Sequence, residues 1–594
     1  MIKIILGLIL LLMPFLLIYK FKDKRIGFFY ILSFLIGFHL LIAVLTQLFH
    51  IFNYASVVGI VLITDLIILS KINFKEFLGS LKKIKIDWIL VFVIIILFIQ
   101  LFSIHYNYTG NVTTVFESSK EVKNMKYVYP YFSDEWSAVA LIKYSIVSGQ
   151  LPLKNPLWGN ADFPNLELPF HSFISEIILL LGLDPLTQYS FLTIFSGILI
   201  CVLIYFILRF NNLGKLASSI ISLSIPYFIN GANLPGIWVL IPLIMGIIFM
   251  LLSFLFMSIR DNKMVLFTGF LTLIFYPPLF VLSGISLMFY FIFLNSNKEK
   301  IRLMLLFLGL CALAVLILSI FVFLSKFSFT EFLSHIFSKI FYETFTKNAI
   351  PDFSIWKIIP IPILLFSGFG VFKLIIQKRR LWLVAPVVVG LVYWWIYSFS
   401  LWRFIIEYER VVVATSILIT LLAGFGLYYL IRYLRKFDFV KKYKLLQIAQ
   451  ILVLVLFFSF SFSYTNRDNW QELKLYSINS EVIFNPAAPA NNYLHQDDLE
   501  LFSDIKQKTF LSIPWKGKVI GVATDNYPLE TKSATITNSA GSFSEFMRAD
   551  CSGKIEIAKQ REVKIDYIYS QEFNCSGFEL KDVSSEGLRL YKVV

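Results

Sequence analysis

What most constrains this chain is a recurrence of apolar runs, each long enough to approach the span of a lipid bilayer, divided by short polar loops. A crossing takes about 20 predominantly apolar residues. Inside the hydrocarbon every backbone N–H and C=O must find a partner within the protein, so such runs fold as helices. Fourteen runs read as crossings, over residues 3–19, 27–48, 52–70, 88–104, 187–208, 215–229, 237–258, 264–276, 278–294, 303–325, 355–377, 381–400, 411–431 and 445–463. The pair 264–276 and 278–294 is divided by Tyr276-Pro277-Pro278 and reads as two short helices at a proline turn or as one broken segment. Composition agrees, at 58% hydrophobic and 15% charged, where soluble domains run near half apolar and a quarter charged. The expected fold class is an all-α polytopic membrane bundle of about 14 transmembrane helices, with a C-terminal extracytoplasmic α/β domain.

Loop charge sets the expected orientation. Lys and Arg are concentrated in 20–25, 71–85, 209–215, 260–263, 297–302, 373–380 and 432–444, which all fall on one side of the membrane in this span list. That side is cytoplasmic by the positive-inside rule. The N-terminus, 105–186, 230–236, 326–354, 401–410 and the tail from Tyr464 then face outward, on a multi-pass protein of the cell membrane. The net charge of +15 forms no continuous basic face, which argues against a nucleic-acid partner. Residues 4–19 lack a small-residue cleavage site and read as a retained first helix, with a signal anchor as the alternative.

Three regions follow: 1–87, additional N-terminal transmembrane helices; 88–463, a transmembrane core with the outward loop 105–186; and 464–594, an extracytoplasmic α/β domain. In the last, the alternating runs 518–523, 534–537, 554–557, 563–569 and 588–593 predict strands, and 496–508 predicts a helix. Cys551 and Cys575 lie in this tail, where an oxidising location makes a disulfide between them plausible. Cys201 and Cys311 sit in apolar runs as packing residues. The segment 326–354 alternates aromatic with charged residues, as an amphipathic segment on the outer leaflet does.

The outward loop 105–186 carries the chemistry. Asp134 and Glu135 are adjacent acids in a chain poor in acids, flanked by Tyr129, Tyr131, Phe132 and Trp136, with Trp136 expected at the membrane interface. A helix is expected over 137–148, ended by Gly149 of a Gly-x-x-Pro stretch (Gly149 to Pro152), and 170–182 is apolar but too short to cross. One carboxylate of the pair suits a general base, and the other suits a metal or the orienting of an acceptor. Asp162, Glu167 and His171 form a second polar group downstream. Asp134, Asp162 and Glu167 are the weak candidates for a divalent metal; no cofactor is certain. His171 is expected either as a hydrogen-bonded structural residue or as a contact to a donor phosphate. The third group is Trp402-Arg403-Phe404-Ile405-Ile406-Glu407-Tyr408-Glu409-Arg410, where Arg403 and Arg410 stand outward, against the charge bias. Arginine's planar fork suits phosphate, and pairing with Glu407 and Glu409 is the competing use.

The carboxylate pair after an outward crossing, the helix, the Gly-x-x-Pro and the many later spans resemble the GT-C membrane glycosyltransferases. These transfer sugars from polyprenyl-phosphate donors at the extracytoplasmic face, and they include protein mannosyltransferases and aminoarabinose transferases. The resemblance covers 88–464 as layout and makes 1–87 an addition. It implies Asp134 as the catalytic carboxylate with Glu135 second, and Arg403 or Arg410 near the lipid-linked phosphate. Oligosaccharyltransferase signatures are not matched: 230–236 holds no acid, and Trp394-Trp395-Ile396-Tyr397 lacks the expected Asp. The implied function is transfer of a sugar from a lipid-linked donor to a protein, lipid or glycan acceptor, among membrane lipids. Residues Arg403, Arg410, His171 and Trp136 are the substrate-binding candidates. The alternative is a transporter or flippase of a lipid-linked or anionic substrate, for which Asp65 and Glu176 are the mid-span ionisable candidates.

Overall fold

The computed structural model describes residues 2–81, 86–106, 108–113, 119–130, 132–228, 237, 239–294, 296–326, 328, 330, 341–343, 359, 361–378, 380–400, 402–404, 406–437, 445–463, 493–531, 534–535, 542–559 and 563–594. Helices dominate. The N-terminal region holds α1 (Ile2–Leu12), α2 (Lys24–Leu48), α3 (Tyr54–Ser70) and the short α4 (Phe74–Leu81). Then come α5 (Trp88–Tyr106), α6 (Ser133–Ser148), α7 (Leu168–Leu181), α8 (Tyr189–Phe210) and α9 (Lys215–Phe228). The next four are α10 (Pro242–Ile259), α11 (Asn262–Phe275), α12 (Phe280–Ile292) and α13 (Asn297–Leu324). The membrane part closes with Ile361–Ile376, Leu381–Ser400, Tyr408–Leu434 and Leu445–Ser463.

Among the described residues six helices are long and apolar enough to cross a membrane by length and composition, or seven with the bent pair Tyr54–Ser70 and Phe74–Ser80. Others counted as crossings from sequence, such as α5 and α11, are shorter apolar helices here. The expected 264–294 pair is two helices, α11 and α12, joined by a 3-10 turn over Pro277–Leu279. Prolines at that turn remove donors and stop α11 at Phe275.

Small residues let the late helices approach closely. A Cβ on Gly426 would lie 1.8 Å from the Phe366 carbonyl oxygen, and one on Gly370 2.4 Å from that of Leu422. Backbones pack this tightly within membranes because dispersion contacts, not water exclusion, hold the helices together. The helix Tyr408–Leu434 is thereby pinned against Ile361–Ile376, which fixes the position of its first turn.

The C-terminal unit, described from Tyr493, is built on a five-stranded sheet. Its order is Phe578–Val583, Arg589–Val593, Tyr567–Ser570, Thr509–Ser512, Tyr527–Pro528. The first three pair antiparallel and the last two join in parallel. Two expected strands are helices instead: 518–523 lies in Pro514–Thr524, and 554–557 in Cys551–Lys559. Proline at the helix start is pre-set for the first turn. In Pro514–Thr524 every residue from Trp515 to Val522 is buried, so burial on all sides overrides β-branched propensity. Cys551 and Cys575 are disulfide-bonded, with Cα atoms 5.4 Å apart. The segments 230–236 and 331–340, where further outward residues were expected, lie outside the described residues.

Candidate active site

The outward loop folds differently from expectation at its start. α6 begins at Ser133, so Asp134 and Glu135 occupy a helical first turn, not a loop. Carboxylates are favoured there because they meet unpaired N–H groups and the positive end of the helix dipole. Gly149 ends the helix in a left-handed conformation (φ +68°) that glycine adopts without cost.

Successive positions on a helix point about 100° apart, so the two acids part company. Glu135 turns inward and is 1% exposed. Its Oε2 accepts from the Phe132 backbone N–H at 3.3 Å, while Oε1 accepts from the Leu240 N–H at 2.9 Å and the Thr193 hydroxyl at 3.5 Å. This carboxylate ties α6 to the segment before α10 and to α8. Asp134 is half exposed, and its Oδ2 receives Arg410 Nη2 at 3.2 Å.

Arg410 is the hub. It sits in the first turn of Tyr408–Leu434, its side chain 16% exposed. Its Nε meets Glu407 at 2.6 Å, Nη1 donates to the Tyr276 hydroxyl at 2.7 Å and lies 3.6 Å from Glu167 Oε1, and Nη2 meets Asp134. The Tyr276 ring lies beside the guanidinium carbon, 5.5 Å from its centroid. Three segments distant in sequence, carrying Asp134, Glu167 and Tyr276, therefore converge on one cation, with Glu407 added from its own segment. Each carboxylate partner keeps exposed surface, with side chains 43% (Asp134), 35% (Glu167) and 49% (Glu407) accessible.

The remaining predicted residues fall elsewhere. Trp136 is fully buried and stacks with Tyr129 (centroids 6.5 Å apart), so it is a core residue and not an interfacial one. The reason is again helical phase, which carries position 136 inward with Glu135. His171 is buried in α7, where Asn165 Nδ2 donates to its Nδ1 at 3.2 Å. Burial pushes its imidazole down to about 3, which keeps the ring neutral. Asn165 also donates to the Pro152 carbonyl, so His171 braces the turn behind the Gly-x-x-Pro. Asp162 lies exposed on the two-residue strand Ala161–Asp162, register partner of Lys154, and is not among the ion-pair partners of Arg410. Arg403 sits on the strand Trp402–Phe404, register partner of Tyr342, and its side chain lies outside the described residues.

For a divalent metal the fit is poor. Among the described residues no three His, Cys, Asp or Glu side chains gather as a metal-holding group. Asp134, Glu167 and Glu407 close instead around a guanidinium, which takes the place between them. Tyr276 is not among the sequence candidates, and Glu407 is among them only as a pairing partner of the two arginines. The only sequence signal for Tyr276 is the proline pair that follows it.

No protein-family profile and no curated relative matches the sequence. Among solved structures, ArnT from Cupriavidus metallidurans in the apo state is similar over 85% of this chain and 98% of its own, at 12% identity and TM-score 0.53. The archaeal oligosaccharyltransferase AglB from Archaeoglobus fulgidus, in complex with an inhibitory peptide and a dolichol-phosphate, covers 82% of this chain and 69% of its own, at 12% identity and TM-score 0.48. The arabinofuranosyltransferase AftD from Mycobacteria covers 86% and 40%, at 10% identity and TM-score 0.48. The structural neighbours of this membrane protein are thus GT-C glycosyltransferases, and on the ArnT match its fold is of that kind.

Proposed function

We propose that this protein is a membrane glycosyltransferase that moves a sugar from a polyprenyl-phosphate donor to an acceptor at the extracytoplasmic face, with Asp134 as base. The observation that carries the reading is the 3.2 Å contact between Asp134 and Arg410, 276 residues apart, a base candidate and a phosphate-binding candidate. In this reading an acceptor O–H or N–H approaches Asp134 while Arg410 turns to the donor phosphate. The acceptor atom forms its bond to the anomeric carbon and its proton passes to Asp134. The bond from that carbon to the phosphate oxygen breaks, and its electron pair stays with the phosphate, whose charge Arg410 stabilises through paired bonds. Inversion at the anomeric carbon follows from direct displacement.

Two further features support the lipid donor and the outward site. An apolar groove of about 600 Å³ runs between α2, α11 and α13, lined by Gly37, Phe38, Pro169, Phe267, Ile274 and Ile320. Pro169 and Ile274 lie two residues from Glu167 and Tyr276, both partners of Arg410, so a prenyl chain seated there brings its phosphate to the guanidinium. The Cys551–Cys575 disulfide suits an oxidising compartment for the C-terminal unit.

The test compares Asp134→Asn with wild type in membranes given a labelled polyprenyl-phosphate sugar and total envelope acceptors. Loss of transfer by about a hundredfold or more, with normal protein levels, is expected of a lost base. Wild-type transfer by Asp134→Asn sinks the assignment.

A further inference from the structure

The region ahead of the core holds a second site, remote from the Arg410 cluster in kind. A cavity of about 450 Å³ lies between α1, α2 and α3, walled by apolar side chains that include Leu10, Phe34, Phe38 and Val61. Phe34, 55% exposed, stands at its rim, so the cavity opens sideways toward lipid. Two ionisable residues line it: His39 and Asp65, each 1% exposed. His39 Nδ1 is joined to Glu176 on α7 at 2.8 Å, but its Nε2 has no hydrogen-bond partner among the described residues. Asp65 Oδ2 likewise has none. An unmatched buried polar atom costs on the order of 1–3 kcal/mol, and more where the group is charged. Ionisable groups within a bilayer serve a function by default.

We propose that this cavity binds a membrane amphiphile, its apolar chain against Leu10, Phe34, Phe38 and Val61 and its head donating a hydrogen bond to Asp65. The head is a hydroxyl or an ammonium, because only a donor satisfies a carboxylate oxygen. His39, held by Glu176, presents its second ring nitrogen to the same pocket wall and limits the room for the head. Phe34 and Phe38 also line the groove assigned above to the prenyl chain, so the two cavities share a wall; Asp65 and Val61 line this one alone, and its test needs no sugar-transfer activity.

The test uses the full-length protein in phosphatidylcholine bilayers with three photoreactive probes of one chain length: an alcohol, an amine, and a methyl ester that cannot donate. Labelling is mapped to α2 and α3. We expect the alcohol or the amine to label about tenfold above the ester, the effect of one hydrogen bond to a charged group. Asp65→Leu should fall to the ester level, and which probe wins identifies the head. Val61→Trp fills the cavity without touching the carboxylate and should lose labelling too, which guards against a variant that fails to insert. Ester labelling equal to both donors, or wild-type labelling in either folded variant, overturns the proposal.

Discussion

Tyr276 accepts a hydrogen bond from Arg410 at 2.7 Å, and it does so from the break between α11 and α12. The Tyr276 main chain there is extended (φ −150°), which ends α11 and lets the side chain reach the first turn of a helix 134 residues away. The contact holds the guanidinium between Asp134 and Glu167. Tyr276→Phe keeps the ring against Arg410 and removes one bond worth about 1 kcal/mol. The expected result is a fall of roughly fivefold in transfer at unchanged protein level, read in the labelled-sugar assay.

Glu135 is predicted to matter for folding and not for chemistry. Its two oxygens satisfy three donors in the interior, and Glu135→Ala leaves the Leu240 and Phe132 N–H groups unpaired. Each costs on the order of 1–3 kcal/mol. Glu135→Ala should therefore lower the thermal unfolding midpoint in detergent and reduce membrane yield. Glu135→Gln, which keeps an acceptor, should recover much of both. Equal stability of Glu135→Ala and wild type would contradict this role.

The division between the two adjacent acids shows where sequence stops being informative. A lone acidic pair in an apolar chain was legible as a candidate site, and Arg410 was legible as a cation placed against the loop-charge bias. What could not be read was helical phase, because α6 begins at Ser133 instead of four residues later. That shift buries Glu135 and Trp136 and leaves Asp134 outward. Glu407 was legible as a partner for either arginine; the helix starts at Tyr408, so Glu407 stands ahead of it and meets Arg410. Tyr276 joins the site only through tertiary packing, which no local pattern carries, and Glu167, legible as a candidate acid, meets Arg410 through the same packing. In the C-terminal unit the same limit applies: residues 518–523 alternate like a strand, but wholly buried surroundings select a helix.

Lys518 joins that unit to α6. It is fully buried, and its Nζ donates to the Ser133 hydroxyl at 2.8 Å, one residue before Asp134. Lys143 reaches the same unit farther along α6, donating to the Val522 carbonyl at 2.6 Å and to the exposed Asp525 at 2.9 Å. Lys518→Met should lower kcat by about tenfold or more with little change in donor KM, because it loosens the turn that aims Asp134. Asp525→Asn, at an exposed pair worth under about 1 kcal/mol, should leave both near wild type.

The Cys551–Cys575 bridge closes a loop across a sequence separation of 24. Chain entropy assigns a loop of that size about 3 kcal/mol. Reductant, or Cys551→Ser, should lower the unfolding temperature of the C-terminal unit, while Cys201 and Cys311 stay unreactive without detergent. Thermal unfolding of the purified protein with and without reductant checks the first effect, and thiol labelling of intact cells before and after reduction checks the second and the side on which the bridge lies.

The groove between α2, α11 and α13 offers a way to separate donor binding from chemistry. Gly37 lines it, and a Cβ placed there would meet the Phe267 ring at 3.1 Å, so bulk at this position must project into the groove or push that ring. Gly37→Leu should raise the donor KM by about tenfold while leaving kcat near wild type, since it removes room for the chain without touching Asp134 or Arg410. The effect should grow with prenyl length, because a short-chain donor leaves the far part of the groove empty. Helix propensity favours leucine over glycine at this mid-helix position, so a fold defect is not expected to account for the loss. A KM unchanged for long-chain and short-chain donors alike would place the lipid tail elsewhere on the molecule.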